Sequence, residues 1–154
     1  MKLVVAAVGK PRNPALAAAI REYEERAAHY WPMEVHEVRE EPAKSVSADL
    51  VREREGARLA KFVPPSAHLV ACDPGGASKT SESFSAWLQD EREAGRDVTF
   101  VIGGAYGLPD SLRNRARTRL ALAPWTLSHE LARLVLAEQL YRAGTIVRRE
   151  PYHK

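Results

Sequence analysis

Three glycines, Gly103, Gly104 and Gly107, follow an uncharged run of apolar and β-branched residues at 98–102. Such a run predicts a buried strand that ends in a loop made mostly of backbone. Because glycine permits positive φ and close approach of another group, the cluster indicates a ligand bound against the main chain. A helix-like stretch opens at Asp110, and open α/β sheets bind ligands where a strand, a glycine loop and a helix follow one another. A tight turn that binds nothing is the alternative.

The glycine pattern itself excludes two common phosphate sites. It is G-G-x-x-G, which is neither the dinucleotide fingerprint G-x-G-x-x-G nor the P-loop with its terminal Lys and Ser/Thr. His129 and Glu130 lack the second histidine of H-E-x-x-H, so a zinc hydrolase is not supported. A nucleotide-binding hydrolase is disfavoured as well, because no Ser/His/Asp arrangement has the motif spacing of such enzymes.

Positive charge is concentrated in two segments, although the net charge is only +3 and the pI about 9.2. The clustered residues are Arg113, Arg115, Arg117 and Arg119, and then Arg142, Arg148, Arg149 and Lys154. Clusters of this kind fit an anionic partner such as RNA. Solvated helix faces are the alternative.

The elements that must position these residues alternate between strand and helix. We predict strands at 2–8, 33–38, 68–73 and 98–102, and a short one at Leu120 and Leu122. We predict helices at 14–30, 47–62, 81–95 and 110–117, and a last one that begins after Ser128. Asn13, Ser47 and Ser128 are predicted to cap the first, second and last of them, and Thr80 or Ser81 to begin the third. Residues 74–76, Pro-Gly-Gly, predict a second glycine loop. This order indicates an α/β fold with a mainly parallel sheet flanked by helices.

Length and composition predict one domain and a reducing compartment. The 154 residues fit a single domain over 1–154. Cys72 is the only cysteine, so no intrachain disulfide can form. The apolar residues 3–8 are fewer than a signal-peptide core needs, and no window reaches the length of a membrane span. We therefore expect a cytoplasmic protein that does not enter the membrane.

Three stretches together give the chain a resemblance to a known family. They are FVIGGAYGL at 100–108, WTLSHELARLVLAEQLYRA at 125–143 and PYHK at 151–154. In these stretches the chain resembles the bacterial methyltransferases of the SPOUT superfamily that modify N3 of a pseudouridine in 23S rRNA. The resemblance runs essentially end to end, and its pattern T-x-[SP]-H-x-x-x-R followed by E-Q-x-Y-R-A is quite specific.

The resemblance implies properties that periodicity does not show. It implies a SPOUT-type α/β knot, in which the C-terminal segment threads a loop to form a trefoil, and a homodimer. It also implies S-adenosylmethionine as methyl donor, with no metal, and an assembled ribosome as substrate, with the pseudouridine at position 1915 of 23S rRNA as acceptor. Sequence rules alone favour an ordinary doubly wound sheet, because deep knots are nearly absent among folds.

The cofactor pocket implied by the resemblance lies in three segments. It would involve Cys72, Gly103 and the stretch Leu122, Ala123, Pro124, Trp125, Thr126 and Leu127. Adenine can hydrogen-bond backbone N–H and C=O groups, and the apolar side chains of this stretch can contact the ligand. Cys72 and residues 123–125 are not the commonest at their positions, which leaves side-chain contacts with the cofactor open. Methyl transfer needs an in-line nucleophile, so positioning should be a large part of catalysis.

The resemblance also places three candidate catalytic residues near the C-terminus. The acceptor imide must lose its N3 proton, so a base or a stabiliser of negative charge is expected. His153 is the candidate base, since histidine can accept a proton near neutral pH. Tyr152 and Arg142 would orient that base or stabilise an oxyanion, and Arg142 could instead bind a phosphate. A disordered tail is the alternative.

Two further expectations concern the last helix, one concerns the arginines at 113–119, and one concerns the function as a whole. His129 should hold this helix against the cofactor loop, and Arg133 and Glu138 should form an ion pair or cross a dimer interface. The arginines at 113–119 would meet phosphates of the ribosome. A ribosome- or RNA-binding module of the same fold without activity is the rival interpretation, which cofactor binding would distinguish.

Overall fold

Strands and helices alternate along the chain, as the sequence predicts. The computed structural model describes residues 1–154. The strands are β1 Leu3–Val8, β2 Met33–Val38, β3 His68–Ala77, β4 Val98–Ile102 and β5 Thr118–Leu120. The helices are α1 Pro14–Ala28, α2 Ala48–Ala60, α3 Ser81–Glu93, α4 Asp110–Arg115 and α5 His129–Val147.

The five strands form one parallel sheet in the order β2-β1-β4-β3-β5. Parallel sheets are covered on both faces, which is why every residue of β1 and β4 is buried. In the register of β3 and β4, Cys72 lies opposite Ile102. The sheet therefore brings the residue Cys72 beside the start of the glycine loop at Gly103.

Each face of the sheet has its own apolar core. One core packs α1, α3 and α5 against β1 and β4, and includes Trp31, Phe100 and Leu136. The other packs α2 and α4 against the opposite face, and includes Leu59 and Leu112. The sheet is thus flanked by helices on both sides, with α1, α3 and α5 on one face and α2 and α4 on the other.

Side-chain caps begin four of the five helices where the sequence predicts them. The side chains of Asn13, Ser47, Thr80 and Ser128 each accept a hydrogen bond from a backbone N–H of the first turn. Such a bond satisfies an N–H group that has no partner within the helix. The start of α5 is therefore fixed by Ser128, directly after the predicted cofactor stretch.

Three predicted boundaries are wrong. Residues 74–76 do not form a loop, because β3 continues to Ala77 and Ala77 pairs with Leu120 of β5. Gly76 serves this pairing, since a Cβ there would lie 2.5 Å from the backbone carbon of Arg119. Strand β5 ends at Leu120, so Leu122 is in a loop, and α4 ends at Arg115 rather than at residue 117.

Helix α5 is fixed to α1 and β2 by buried contacts. The indole Nε1 of Trp31 donates to the carbonyl of Leu140 over 2.8 Å. Arg133, only 7% exposed, donates to Glu24 of α1 and to Glu37 of β2 over 2.7 and 2.8 Å. The predicted pair of Arg133 with Glu138 is therefore wrong: five positions apart on a helix, the two side chains point about 140° away from each other.

None of the helices combines the length and the apolar character that a membrane span requires.

Candidate functional site

A pocket at the carboxyl ends of β3 and β4 contains most of the predicted cofactor residues. It is lined by Cys72, Gly103, Leu122, Ala123, Trp125, Thr126 and Leu127, and also by Asp73, Pro74, Ile102, Gly104, Ala105, Gly107, His129 and Ala132. We call it the glycine-loop pocket. Among the predicted cofactor residues only Pro124 does not line it. Parallel α/β sheets bind ligands at this edge, so its position agrees with the prediction from the glycine cluster.

The glycine loop folds back on itself to make one wall of this pocket. Gly104 and Gly107 form an isolated bridge, and Gly107 has a φ of 82°, a conformation that side chains disfavour. A Cβ on Gly103 would lie 2.5 Å from the backbone carbon of Gly107. Gly103 is therefore required by the loop's own backbone, in addition to any ligand that the loop accepts.

The opposite wall is a segment whose backbone groups are free. No backbone hydrogen bond of the chain involves residues 122–127. Unpaired backbone N–H and C=O groups need water or a ligand as partner. Trp125 in this segment is 78% exposed, which is unusual for so large an apolar side chain. The wall thus offers hydrogen-bonding groups and apolar surface, the two features that an adenine ring requires.

Cys72 lines this pocket as an unreactive thiol. Burial raises the pKa of its thiol to about 12. The thiolate is the reactive form of cysteine, so Cys72 stays protonated and inert near neutral pH.

The C-terminal residues form a second group, which we call the tail cluster: Glu82, Glu138, Arg142, Tyr152 and His153. Arg142 Nη1 and His153 Nδ1 are 3.2 Å apart, and His153 Nε2 is 2.9 Å from Glu82 Oε1 at the start of α3. The hydroxyl of Tyr152 donates to Glu138 over 2.9 Å, and Arg142 Nε donates to the same carboxylate over 3.0 Å. The tail is therefore held in place, in contrast to the disordered alternative.

The partners of His153 fix its tautomer. A guanidinium can only donate, so Nδ1 must accept from Arg142. In the neutral ring the proton then lies on Nε2, which donates to Glu82. Both ring nitrogens are thus occupied, and His153 can accept a new proton only at Nδ1, after Arg142 has left that nitrogen.

Two members of the tail cluster have altered acidity. Burial raises the pKa of the Tyr152 hydroxyl, and hydrogen bonds with Tyr23 and Glu138 raise it further. The hydrogen bond with Glu138 raises the pKa of Arg142. The guanidinium also lies 4.7 Å from the centre of the Tyr152 ring. Near neutral pH, Tyr152 is therefore a neutral donor and Arg142 a permanent cation.

Within one chain the pocket and the tail cluster are separate. Ala132 of α5 lines the pocket, whereas Arg142 lies ten positions further along the same helix. At 1.5 Å per residue, this spacing corresponds to about 15 Å. The structure thus brings together the predicted cofactor residues and, apart from them, the three predicted catalytic residues.

Most of the predicted phosphate-binding arginines have partners within the chain. Arg113 pairs with Asp110, Arg115 donates to the carbonyl of Val63, and Arg119 donates to Asn114. Of the four, only Arg117 makes no side-chain hydrogen bond or ion pair. A phosphate would have to compete with these contacts, so the cluster is less available than its sequence suggests.

Several residues of the two groups are not predicted from the sequence. His129 lines the pocket, and its position right after the cofactor stretch is a signal that could have indicated this. Its Nε2 also lies 3.8 Å from Glu40, so His129 faces the loop after β2 in addition to the pocket. Glu82 carries no such signal, because its contact with His153 spans 71 positions.

Comparison with known proteins gives a consistent result. A family model described as "Predicted SPOUT methyltransferase" matches residues 1–153. The chain is 60% identical over 154 residues to the ribosomal RNA large subunit methyltransferase H of Gemmatimonas aurantiaca, with 100% of both chains covered. It is 46% identical to the protein of that name from Anaeromyxobacter sp., over 100% of both chains, and 44% identical to that from Geobacter metallireducens, over 99% of both. The parallel five-stranded α/β protein described above belongs to the SPOUT methyltransferase family.

Proposed function

We propose that the protein transfers a methyl group from S-adenosylmethionine to N3 of the pseudouridine at position 1915 of 23S rRNA, on the assembled ribosome in the cytoplasm. Membership of the family supports methyl transfer, and the names of the relatives support ribosomal RNA of the large subunit as substrate. The single observation that carries the proposal is the glycine-loop pocket, whose free backbone groups at 122–127 suit the cofactor.

The residues of the pocket fit S-adenosylmethionine without a metal. The backbone of residues 122–127 would bind the adenine edge, and Leu122, Trp125 and Leu127 would cover its faces. Gly103 and Gly104 would let the ligand approach the main chain. When bound, the cofactor supplies an electrophilic methyl group on a sulfonium.

His153 would then receive the proton of N3. It would exchange Arg142 for the N3–H group, so that Nδ1 becomes available as base while Nε2–H keeps its bond to Glu82. Arg142, released from Nδ1, would stabilise the negative charge that spreads onto the imide oxygens. Tyr152 would keep Arg142 oriented through their shared contact with Glu138.

A homodimer would resolve the separation of the pocket from the tail cluster. About 15 Å of α5 lies between them, so one chain does not bring His153 to its own pocket. Trp125 and Leu131 are large apolar residues exposed beside the pocket, at 78% and 41%, which suits an interface. We propose that the tail cluster of a second copy completes each pocket.

The test combines cofactor binding with methyl transfer. Calorimetry of the purified protein with S-adenosylmethionine should show binding, and ribosomes that lack the modification should gain one methyl group at the stated pseudouridine. Binding with transfer to another nucleotide would refute the assigned substrate. Absence of binding would favour the inactive RNA-binding module instead.

A further inference from the structure

A second cavity lies on the other side of the glycine loop. It has a volume of about 570 Å³ and is bounded by α2, by the loop after β2 and by residues Ala105, Tyr106 and His129. We call it the α2 cavity. Because Ala105 and His129 also line the glycine-loop pocket, the two cavities share a wall. Whatever occupies the α2 cavity is therefore adjacent to the cofactor pocket.

Two buried polar atoms on the wall of the α2 cavity have no partner. Glu55 of α2 is only 3% exposed; its Oε2 accepts from the backbone N–H of Glu41 over 3.1 Å, while its Oε1 accepts nothing. The Nε2 of His129 also makes no hydrogen bond, and the carboxylate of Glu40 lies 3.8 Å from it. A buried polar atom left without a partner costs free energy, so such atoms commonly mark a ligand that supplies one.

The other acidic groups of the α2 cavity are already satisfied. Glu40 accepts from Arg12 over 2.7 Å, and Glu41 is paired with Arg54 and Arg58. Hydrogen bonds from these arginines hold the pKa of Glu41 below its usual value. A cation is therefore not what the cavity lacks, since two of its three carboxylates have cationic partners. The unmet requirement is for a group that can hydrogen-bond Glu55 and His129.

The mouth of the α2 cavity has the features of an RNA-binding surface. Arg39 is exposed, and its guanidinium makes no hydrogen bond or ion pair within the chain. Lys10 is exposed at the end of the neighbouring strand β1. Tyr106 lines the cavity with 46% of its surface exposed. Cations bind phosphates, and exposed aromatic rings stack with unpaired bases.

We propose that the α2 cavity binds one nucleotide of the RNA substrate, next to the nucleotide that is methylated. Its phosphate would lie at Arg39, its base would stack on Tyr106, and an N–H edge of the base would donate to Glu55 Oε1. This inference rests on the proposed function, because it assumes an RNA substrate. It assigns the RNA surface to the cavity rather than to the four arginines at 113–119, three of which have partners within the chain.

The experiment uses the full protein saturated with S-adenosylhomocysteine, so that the glycine-loop pocket is filled. Guanosine monophosphate is the probe, because guanine offers two N–H donors on one edge. Titration followed by ¹⁵N NMR should shift the amide signals of Glu41, Glu55 and Tyr106. Glu55→Gln and Arg39→Ala should each weaken this binding about tenfold, the size expected for a hydrogen bond to a charged group. Arg21→Ala, the same change at an exposed position of α1, is the matched control.

A second readout separates this inference from the proposed function. With ribosomes as substrate, both cavity variants should raise KM about tenfold and leave the affinity for S-adenosylmethionine unchanged. Unchanged KM in active variants would overturn the cavity assignment and leave the proposed function intact. If the wild-type protein does not methylate ribosomes, the proposed function fails, and the titration alone decides. The cavity assignment is then overturned if the amide signals do not shift, or if Glu55→Gln and Arg39→Ala bind the nucleotide as tightly as Arg21→Ala does.

Discussion

The glycine-loop pocket and the tail cluster, at two levels of the same helix, are built from different parts of the chain. The pocket presents backbone: free N–H and C=O groups at 122–127 and a loop in which glycines approach one another. The tail cluster presents side chains: Glu82, Arg142 and His153 form a continuous series of hydrogen bonds. The pocket should therefore keep its ligand when side chains are changed and lose it when the backbone is displaced. The tail cluster should lose its function when a single side chain is removed.

The largest effect expected from this contrast is in the tail cluster. His153→Ala removes the proposed base, so the methylation rate should fall by roughly 10²- to 10⁴-fold, the usual contribution of general acid–base catalysis. Calorimetry should show unchanged affinity for S-adenosylmethionine. His29→Ala, which removes an exposed histidine bonded only to the carbonyl of Glu25, should leave the rate unchanged. An unaltered rate in His153→Ala would exclude this residue from the mechanism.

Backbone dependence of the pocket is tested by Gly103→Ala. The added Cβ would lie 2.5 Å from the backbone of Gly107, so the loop must shift and cofactor affinity should fall by at least about tenfold. Gly75→Ala is the matched control, because its Cβ meets only Asp73, at 3.7 Å. Equal affinities in the two variants, measured by calorimetry, would contradict a pocket shaped by the main chain.

Whether the two regions act across a dimer can be tested by complementation. His153→Ala and Gly103→Ala homodimers should both be impaired, but mixed dimers contain one pocket and one tail cluster that are both intact. Co-expression with two affinity tags isolates these mixed dimers, which should recover up to about half of the wild-type rate if each site uses both chains. A mixture that stays as inactive as His153→Ala alone would show that each chain uses its own tail.

A smaller effect is expected at Tyr152. Tyr152→Phe keeps the ring beside Arg142 and removes the hydroxyl with its hydrogen bonds to Glu138 and Tyr23, at a cost of about 1–2 kcal/mol. Thermal unfolding should show this loss, and the methylation rate should fall a few-fold. Tyr152→Ala should do more, because it also removes the contact with the guanidinium. Equal rates for the two variants would mean that the hydroxyl, rather than the ring, orients Arg142.

The smallest effect concerns pH and Glu55. Burial raises the pKa of this carboxyl, and the charges of Glu40 and Glu41 add to the rise while Arg58 opposes it. A raised folded-state pKa favours the protonated form, so its contribution to stability is present below about pH 4 and is lost as pH rises through the folded pKa. Relative to wild type, Glu55→Gln should therefore be more stable at pH 8 than at pH 4 in thermal unfolding. Subtracting the stability of the wild type from that of the variant at each pH removes the contributions of the other carboxylates. If this stability difference does not change between pH 4 and pH 8, the pKa of Glu55 is not raised.

The sequence predicts those features of the fold that depend on interactions between residues close together in the chain. Asn13, Ser47, Thr80 and Ser128 cap the helices that they are expected to cap, because a cap depends only on the next few residues. The extension of β3 is missed, because Gly75 and Gly76 are typical of a turn unless a second strand lies beside them. That neighbour, β5, comes more than 40 residues later, so no local rule reveals it.

In the candidate site, too, some residues could be predicted from the sequence, whereas contacts between distant parts of the chain could not. Resemblance to a family provides the pocket residues, and the register of β3 and β4 places Cys72 and Gly103 together. The partners of Arg133, Glu24 and Glu37, are about 100 positions away, so they could not be predicted before the topology was known. The knot and the dimer implied by the resemblance stay predictions.

Helix α5 runs from the pocket to the tail cluster, so its length and its helical turn set the distance and the angle between them. A loop could absorb an extra residue, but a helix fixed at Arg133 and Leu140 cannot. One alanine inserted between Ala132 and Arg142 would turn the far end by about 100° and advance it by about 1.5 Å. Arg142 and the tail that follows α5 would then be rotated together, away from the pocket and from Glu82, although every side chain of both regions would still be present. The spacing within α5 is thus as much a part of the site as the residues that it carries.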